Sequence, residues 1–174
     1  MGYRKIARVK NIIFVTPYFA PAWSYGGPPK VLYILARELR RKGKEVKVIT
    51  TDALDAKRNN CLREDFEGVQ VFRFKTVSNT LAYKFKIFIV PNFLERVKKI
   101  LEEGEIILFS EIRSIINWQI YPYLVKRKIP YGIFAFGTIP YGCGLKAFIK
   151  KIFDKWWVKD FVKRASFYFA QTEH

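Results

Sequence analysis

Residues 11–50 limit the fold more than any other stretch. Asn11-Ile12-Ile13-Phe14-Val15 is a short apolar run of buried-strand type. Val31, Leu32, Leu35, Ala36 and Leu39 then recur on one helical face, and Pro28 and Pro29 fit that helix's first turn, where a missing N–H costs nothing. Gly43 ends the helix, and Glu45–Thr50 reads as a second strand. Between the first strand and the helix runs the loop Thr16–Pro29, longer than the usual connection of about 2–6 residues. Gly26 and Gly27 lie just before the helix N-terminus, and bare backbone at a positive helix end lets an anionic ligand approach closely. The same Gly-Gly-Pro-Pro also serves as plain turn chemistry for entering a helix. Neither G-x-G-x-x-G nor the P-loop G-x-x-x-x-G-K-[ST] occurs.

The alternation continues down the chain. Thr51 to Glu67 reads as a polar surface connection, and Gly68–Phe74 alternates like a half-buried strand near a sheet edge. Residues 76–90 fit either a short aromatic helix or a strand. A helix follows Pro91 through Val97 and Leu101 and stops at Gly104. Glu105–Ser110 and Pro130–Phe136 read as buried strands on either side of a helix over Ile115–Lys128 that contains Pro122. A long helix over Leu145–Arg164 and a last strand over Ala165–Thr172 complete the chain. The expected fold is therefore α/β: a doubly wound, mostly parallel sheet with helices on both faces. Ligands bind such sheets at the carboxyl ends of the strands. Those ends are Thr16-Pro17, Ser110-Glu111, Phe136-Gly137-Thr138 and Thr172-Glu173. Glu111 and Glu173 are candidate functional acids there, though helix caps and solvated charges occupy such positions too. Arg113 is a candidate phosphate ligand or an exposed cation.

Lys+Arg 32 against Asp+Glu 15 gives +17, a statement about partners rather than fold. Nucleic acid, an anionic membrane and phosphorylated small molecules all suit it. No helix-turn-helix, zinc-finger or RRM signature supports nucleic acid. Cys61, Cys143 and a single His make neither a disulfide framework nor a metal cluster, so a reducing cytoplasm is the expected setting. No run reaches the roughly 18 apolar residues of a bilayer span. Residues 144–164 carry seven Lys/Arg against two Asp; Ile149, Phe153, Trp157 and Phe161 fall in one four-spaced helical row, and Lys151, Lys155, Lys159 and Lys163 in another. With Trp156 these lysines form a candidate peripheral contact with an anionic membrane, at the inner face of the cell membrane. A core-facing helix with its lysines in water explains the same pattern.

Four segments in order carry a resemblance. They are the P-x-F-x-P…G-G opening; R-x-L-x-x-[KR]-G-x-E-V-x-V-[IL]-T from Arg37 to Thr50; Ile129-Pro130-Tyr131…Phe136-Gly137-Thr138; and Ala165…Gln171-Thr172-Glu173. Together they resemble the N-terminal domain of GT-B glycosyltransferases, nearest to the retaining family 4 type, across essentially all of residues 1–174. The resemblance implies a Rossmann-like, acceptor-binding half of a nucleotide-sugar-dependent transferase. Hexosyl groups would pass to a glycan or lipid-linked acceptor. Gly26 and Gly27 would approach the donor phosphates, and Tyr25, Ser110, Glu111, Arg113, Phe136, Gly137, Thr138, Thr172 and Glu173 would line the acceptor cleft. It implies no metal, and a nucleotide-diphosphate sugar held mainly by a second domain beyond His174, so that this half alone does not turn over. Phe136 departs from the family's usual His, and Ser110-Glu111 stands where relatives often carry another. The catalytic base and the sugar stay open. A basic nucleic-acid- or membrane-binding domain without catalysis is the alternative.

Overall fold

The computed structural model describes residues 9–136 and 154–169, without the Trp156 side chain. Strand β1 (Asn11–Val15) leads through the long loop to α1 (Gly27–Arg41) and β2 (Glu45–Thr51). A hairpin, β3 (Arg63–Phe66) and β4 (Val69–Phe74), is followed by α2 (Asn79–Phe85) and α3 (Phe93–Glu102). Then come β5 (Ile106–Phe109), α4 (Ile115–Arg127), β6 (Tyr131–Phe134), a π turn at Asp154–Val158, α5 (Lys159–Lys163) and β7 (Phe167–Phe169).

The strands form one sheet in the order β3-β4-β2-β1-β5-β6-β7, parallel except for β3. The chain is thus α/β and Rossmann-like, as the alternation predicts. Strand β1 is central: Phe14 pairs in register with Val48 of β2 and Leu108 of β5. Successive side chains point to opposite faces. Ile13 and Val15 therefore enter a core with Val97, Leu101, Ile120, Leu124 and Phe161, under α3, α4 and α5. Ile12 and Phe14 enter the other core with Leu32 and Ala36 of α1. Both faces are covered, which is why β1 and β5 read as unbroken apolar runs.

Three regions differ from the sequence reading. The stretch after β2 is not simply a surface connection: Thr51, Asp52 and Ala53 are buried, and Arg63–Phe66 adds an antiparallel edge strand outside β4. Charged residues conceal it, since edge strands tolerate charge that central strands exclude. Within residues 76–90 only Asn79–Phe85 is helical, entered where the Ser78 hydroxyl accepts the Leu81 N–H at 3.3 Å as an N-cap, and residues 86–90 form neither helix nor strand. The predicted long helix lies partly outside the described residues, at 145–153. Its described part opens with a π turn, which shifts the helical phase. Trp157 is consequently exposed while Phe161, expected in the same row, is fully buried.

Gly132 marks a close approach between β6 and β7. A Cβ there would clash with the edge of the buried Phe167 ring. Gly132→Ala is expected to cost about 1–3 kcal/mol by overpacking, read as a lowered urea midpoint. An unchanged midpoint would show that this end of the sheet yields freely.

Candidate functional site

The strand order reverses around β1, since β2 lies on one side and β5 on the other. At such a switch point the loops leaving two neighbouring strands diverge and open a crevice at the carboxyl edge. Thr16-Pro17-Tyr18 leaves β1 there, and Ser110-Glu111 leaves β5. The Tyr18 hydroxyl spans the two, donating to Glu111 Oε1 at 2.5 Å, and both residues are buried. Burial first, and then the adjacent Glu111 carboxylate, push the Tyr18 phenol far above its ordinary value, so it remains a proton donor. The backbone around the pair is fixed. Thr51 Oγ1 donates to Pro17 O at 2.6 Å, Thr16 Oγ1 to Tyr18 O at 2.8 Å, and Asn117 Nδ2 to Glu111 O.

Beyond Tyr18 the loop passes a cis Ala20–Pro21 bond and a 3-10 turn at Trp23–Tyr25. Gly26 then caps α1 with φ 93°, a left-handed conformation that requires glycine. Its N–H is committed to Trp23 O at 3.0 Å, and Pro28 and Pro29 have none. Of the first helical turn, Gly27 alone is left with an N–H to offer a ligand. Gly27 is exposed, and a Cβ built on it meets nothing within 4 Å. Packing therefore does not explain this glycine, whose backbone is open to solvent.

Three polar anchors hold the loop, and the sequence reading singled out none of them. Arg73, buried on β4, donates from Nη2 to Ala20 O and pairs with Glu64 of β3. Ser24 Oγ donates to Leu54 O at 2.9 Å. Asp52 is buried and accepts from Arg58 Nη1 at 2.6 Å, Thr76 N at 2.9 Å and Thr76 Oγ1 at 3.1 Å, fixing the segment that carries Leu54. A fourth unforeseen residue is Lys86, whose ammonium lies 4.1 Å from the centre of the Tyr25 ring and 5.1 Å from that of Tyr83. Burial lowers its pKa. It brings a cation beside the glycine loop. Only its left-handed backbone at the end of α2 aims it there, which no periodicity shows.

Tyr25 stacks on Tyr18 with ring centres 4.8 Å apart, which places it beside the carboxyl-edge crevice. Its hydroxyl is buried without a partner, and its pKa is pushed up to about 12 by burial, then by Tyr83, Asp55 and Asp52. Ser110 is fully buried, and its Oγ has no partner; Ser114 Oγ and Asn117 Oδ1 beside it are also unpartnered. Arg113 is neither exposed nor directed at the glycine loop: its guanidinium grips Asp154 with two bonds, at 2.8 and 2.6 Å. Phe136 is core rather than cleft surface, packed among Phe19, Leu32 and Phe134, because an aromatic ring at that strand end gains more from burial than from water. Gly137, Thr138, Thr172, Glu173 and Lys151 lie outside the described residues, as does the Trp156 side chain. Lys155, Lys159 and Lys163 are exposed. Among the described residues no three His, Cys, Asp or Glu gather as a metal site, and no helix is long and apolar enough to cross a membrane. No protein-family model matches the sequence, and no curated protein matches it significantly.

The two stacked tyrosines are expected to behave oppositely. Tyr18→Phe removes a donor from a buried carboxylate and should lose about 1–3 kcal/mol in chemical denaturation. Tyr25→Phe removes a hydroxyl that has no partner and should be neutral or stabilising. The fold favours the neutral Tyr25 phenol, so its contribution is complete below pH 10.0 and is lost as pH rises toward about 12. Tyr25→Phe should accordingly flatten the fall in thermal midpoint across that window.

Proposed function

We propose that this chain is the acceptor-side half of a nucleotide-sugar-dependent, GT-B type glycosyltransferase, transferring a hexosyl group to a glycan or lipid-linked acceptor. The observation that carries the reading is the open Gly27 backbone at the head of α1, beside a strand-order reversal whose other wall is the Tyr18–Glu111 pair. In this reading the Gly27 N–H and the positive end of α1 meet the donor diphosphate. Lys86 adds a positive charge from the Tyr25 side. The buried, hydrogen-bonded Tyr18–Glu111 unit forms a rigid wall for the acceptor, with Ser110 behind it. The ordered resemblance of four segments supports the same assignment, and the basic charge suits anionic donor phosphates. A second domain would hold most of the donor. The alternative, a basic nucleic-acid-binding or peripheral membrane-binding domain without catalysis, draws on the +17 charge and the interleaved aromatics.

Gly27 offers a clean test because its surroundings are empty. Gly27→Leu, in the native protein that carries this chain, should leave stability within about 0.5 kcal/mol. Transfer of labelled sugar from nucleotide-sugar donors to membrane-lipid and glycan extracts should fall at least about tenfold. Wild-type transfer in a normally folded variant would remove the loop from the reaction. Absence of transfer from any donor by the native protein would remove the reading itself.

A further inference from the structure

We infer that Lys75–Ile87 forms a membrane-docking knuckle that seats on an anionic bilayer surface, which makes the acceptor a lipid-linked one. Only the word acceptor rests on the transferase reading; the docking surface stands without it. Val77, Phe85 and Ile87 expose 58%, 61% and 38% of their surface, a concentration of bare apolar side chains within eleven residues. They do not hang on a free loop. The Val77 N–H donates to Ile89 O at 2.9 Å, the Ile87 N–H donates to Leu81 O at 3.1 Å, and Ser78 caps the helix between them. Lys75, Lys84 and Lys86 of the same short stretch are exposed, and residues 75–94 contain no Asp or Glu. Exposed apolar side chains interspersed in the chain with lysines match the boundary between acyl chains and anionic headgroups, where both components are satisfied at once.

The same features disfavour other occupants. A second copy would bring its own lysines and +17 charge against this face. Three side chains fall well short of the roughly 800 Å² that each partner buries in a stable protein interface. Nucleic acid offers no apolar phase for Val77 or Ile87. The knuckle also lies at the carboxyl edge of the sheet, with Lys86 over Tyr25, so docking there would bring the glycine loop close to the bilayer surface.

The test is sedimentation of the full chain with vesicles of phosphatidylcholine alone or with added phosphatidylglycerol, without nucleotide sugar. Binding to the anionic vesicles is expected, weakening as salt rises. The Phe85→Ser, Ile87→Ser double variant should lose at least about tenfold in affinity. Trp157→Ser, on an exposed aromatic of the basic C-terminal segment, should bind as wild type. Both substituted knuckle positions are exposed, and an unchanged thermal midpoint would confirm folding. Failure to bind anionic vesicles, full binding by the double variant, or loss in Trp157→Ser alone would each overturn the inference. So would a concentration-dependent dimer abolished by the double variant without vesicle binding. Because no donor is present, failure here leaves the transferase reading standing, and failure of sugar transfer leaves the knuckle standing.

Discussion

The burial of β1 is the constraint on which the other features depend. Every residue from Ile12 to Val15 is at most 1% exposed, with a parallel strand on each side and a core on each face. A strand so enclosed cannot turn back within the sheet, so the chain must leave at the carboxyl edge and return through α1. Because β2 then settles on one side of β1 and β5 on the other, the loops after β1 and β5 diverge. The crevice between them is a consequence of topology, and the Tyr18–Glu111 bond is the point at which side chains close its floor.

What sets this crevice apart from a plain gap between loops is the expense of its scaffolding. Buried charges cost free energy unless they are fully paired. Here Asp52 is satisfied by Arg58 and Thr76, and Arg73 by Glu64 and the Ala20 carbonyl. Replacing such groups with apolar ones would often hold a core as well, so their value lies in fixing backbone position. They fix the two ends of the segment running into Gly26 and Gly27. Rigid support beneath an open, unpacked glycine fits a surface that must meet a ligand without rearranging.

Much of the fold was legible because it rests on periodicity. The apolar runs of β1 and β5, the amphipathic face of α1 and its Pro28-Pro29 entrance all follow from local patterns that tertiary structure does not overrule. The site was legible only in part. Gly26, Gly27, Tyr25 and Glu111 stand at strand and helix ends, where sequence can place them. Asp52, Arg58 and Arg73 look like surface charges, since the Asp52–Arg58 pair, 6 positions apart, and the Arg73–Ala20 bond, 53 apart, leave no periodic trace. Phe136 misled for the opposite reason: a motif position suggested a cleft, while its side chain is a core residue. The helix phase near Trp157 failed because a π turn inserts an extra residue that a fixed four-residue spacing does not contain.

Amide NMR of the labelled chain, titrated with a nucleoside diphosphate, decides whether the Gly27 backbone meets a diphosphate as proposed. Saturable shifts are expected at Gly27 and Gly26, spreading to Tyr25 and Lys86, with the opposite edge of the sheet at Lys47 and Glu103 unmoved. Shifts that spread over the lysine-rich surface and vanish with added salt, leaving Gly27 in place, would contradict that proposal.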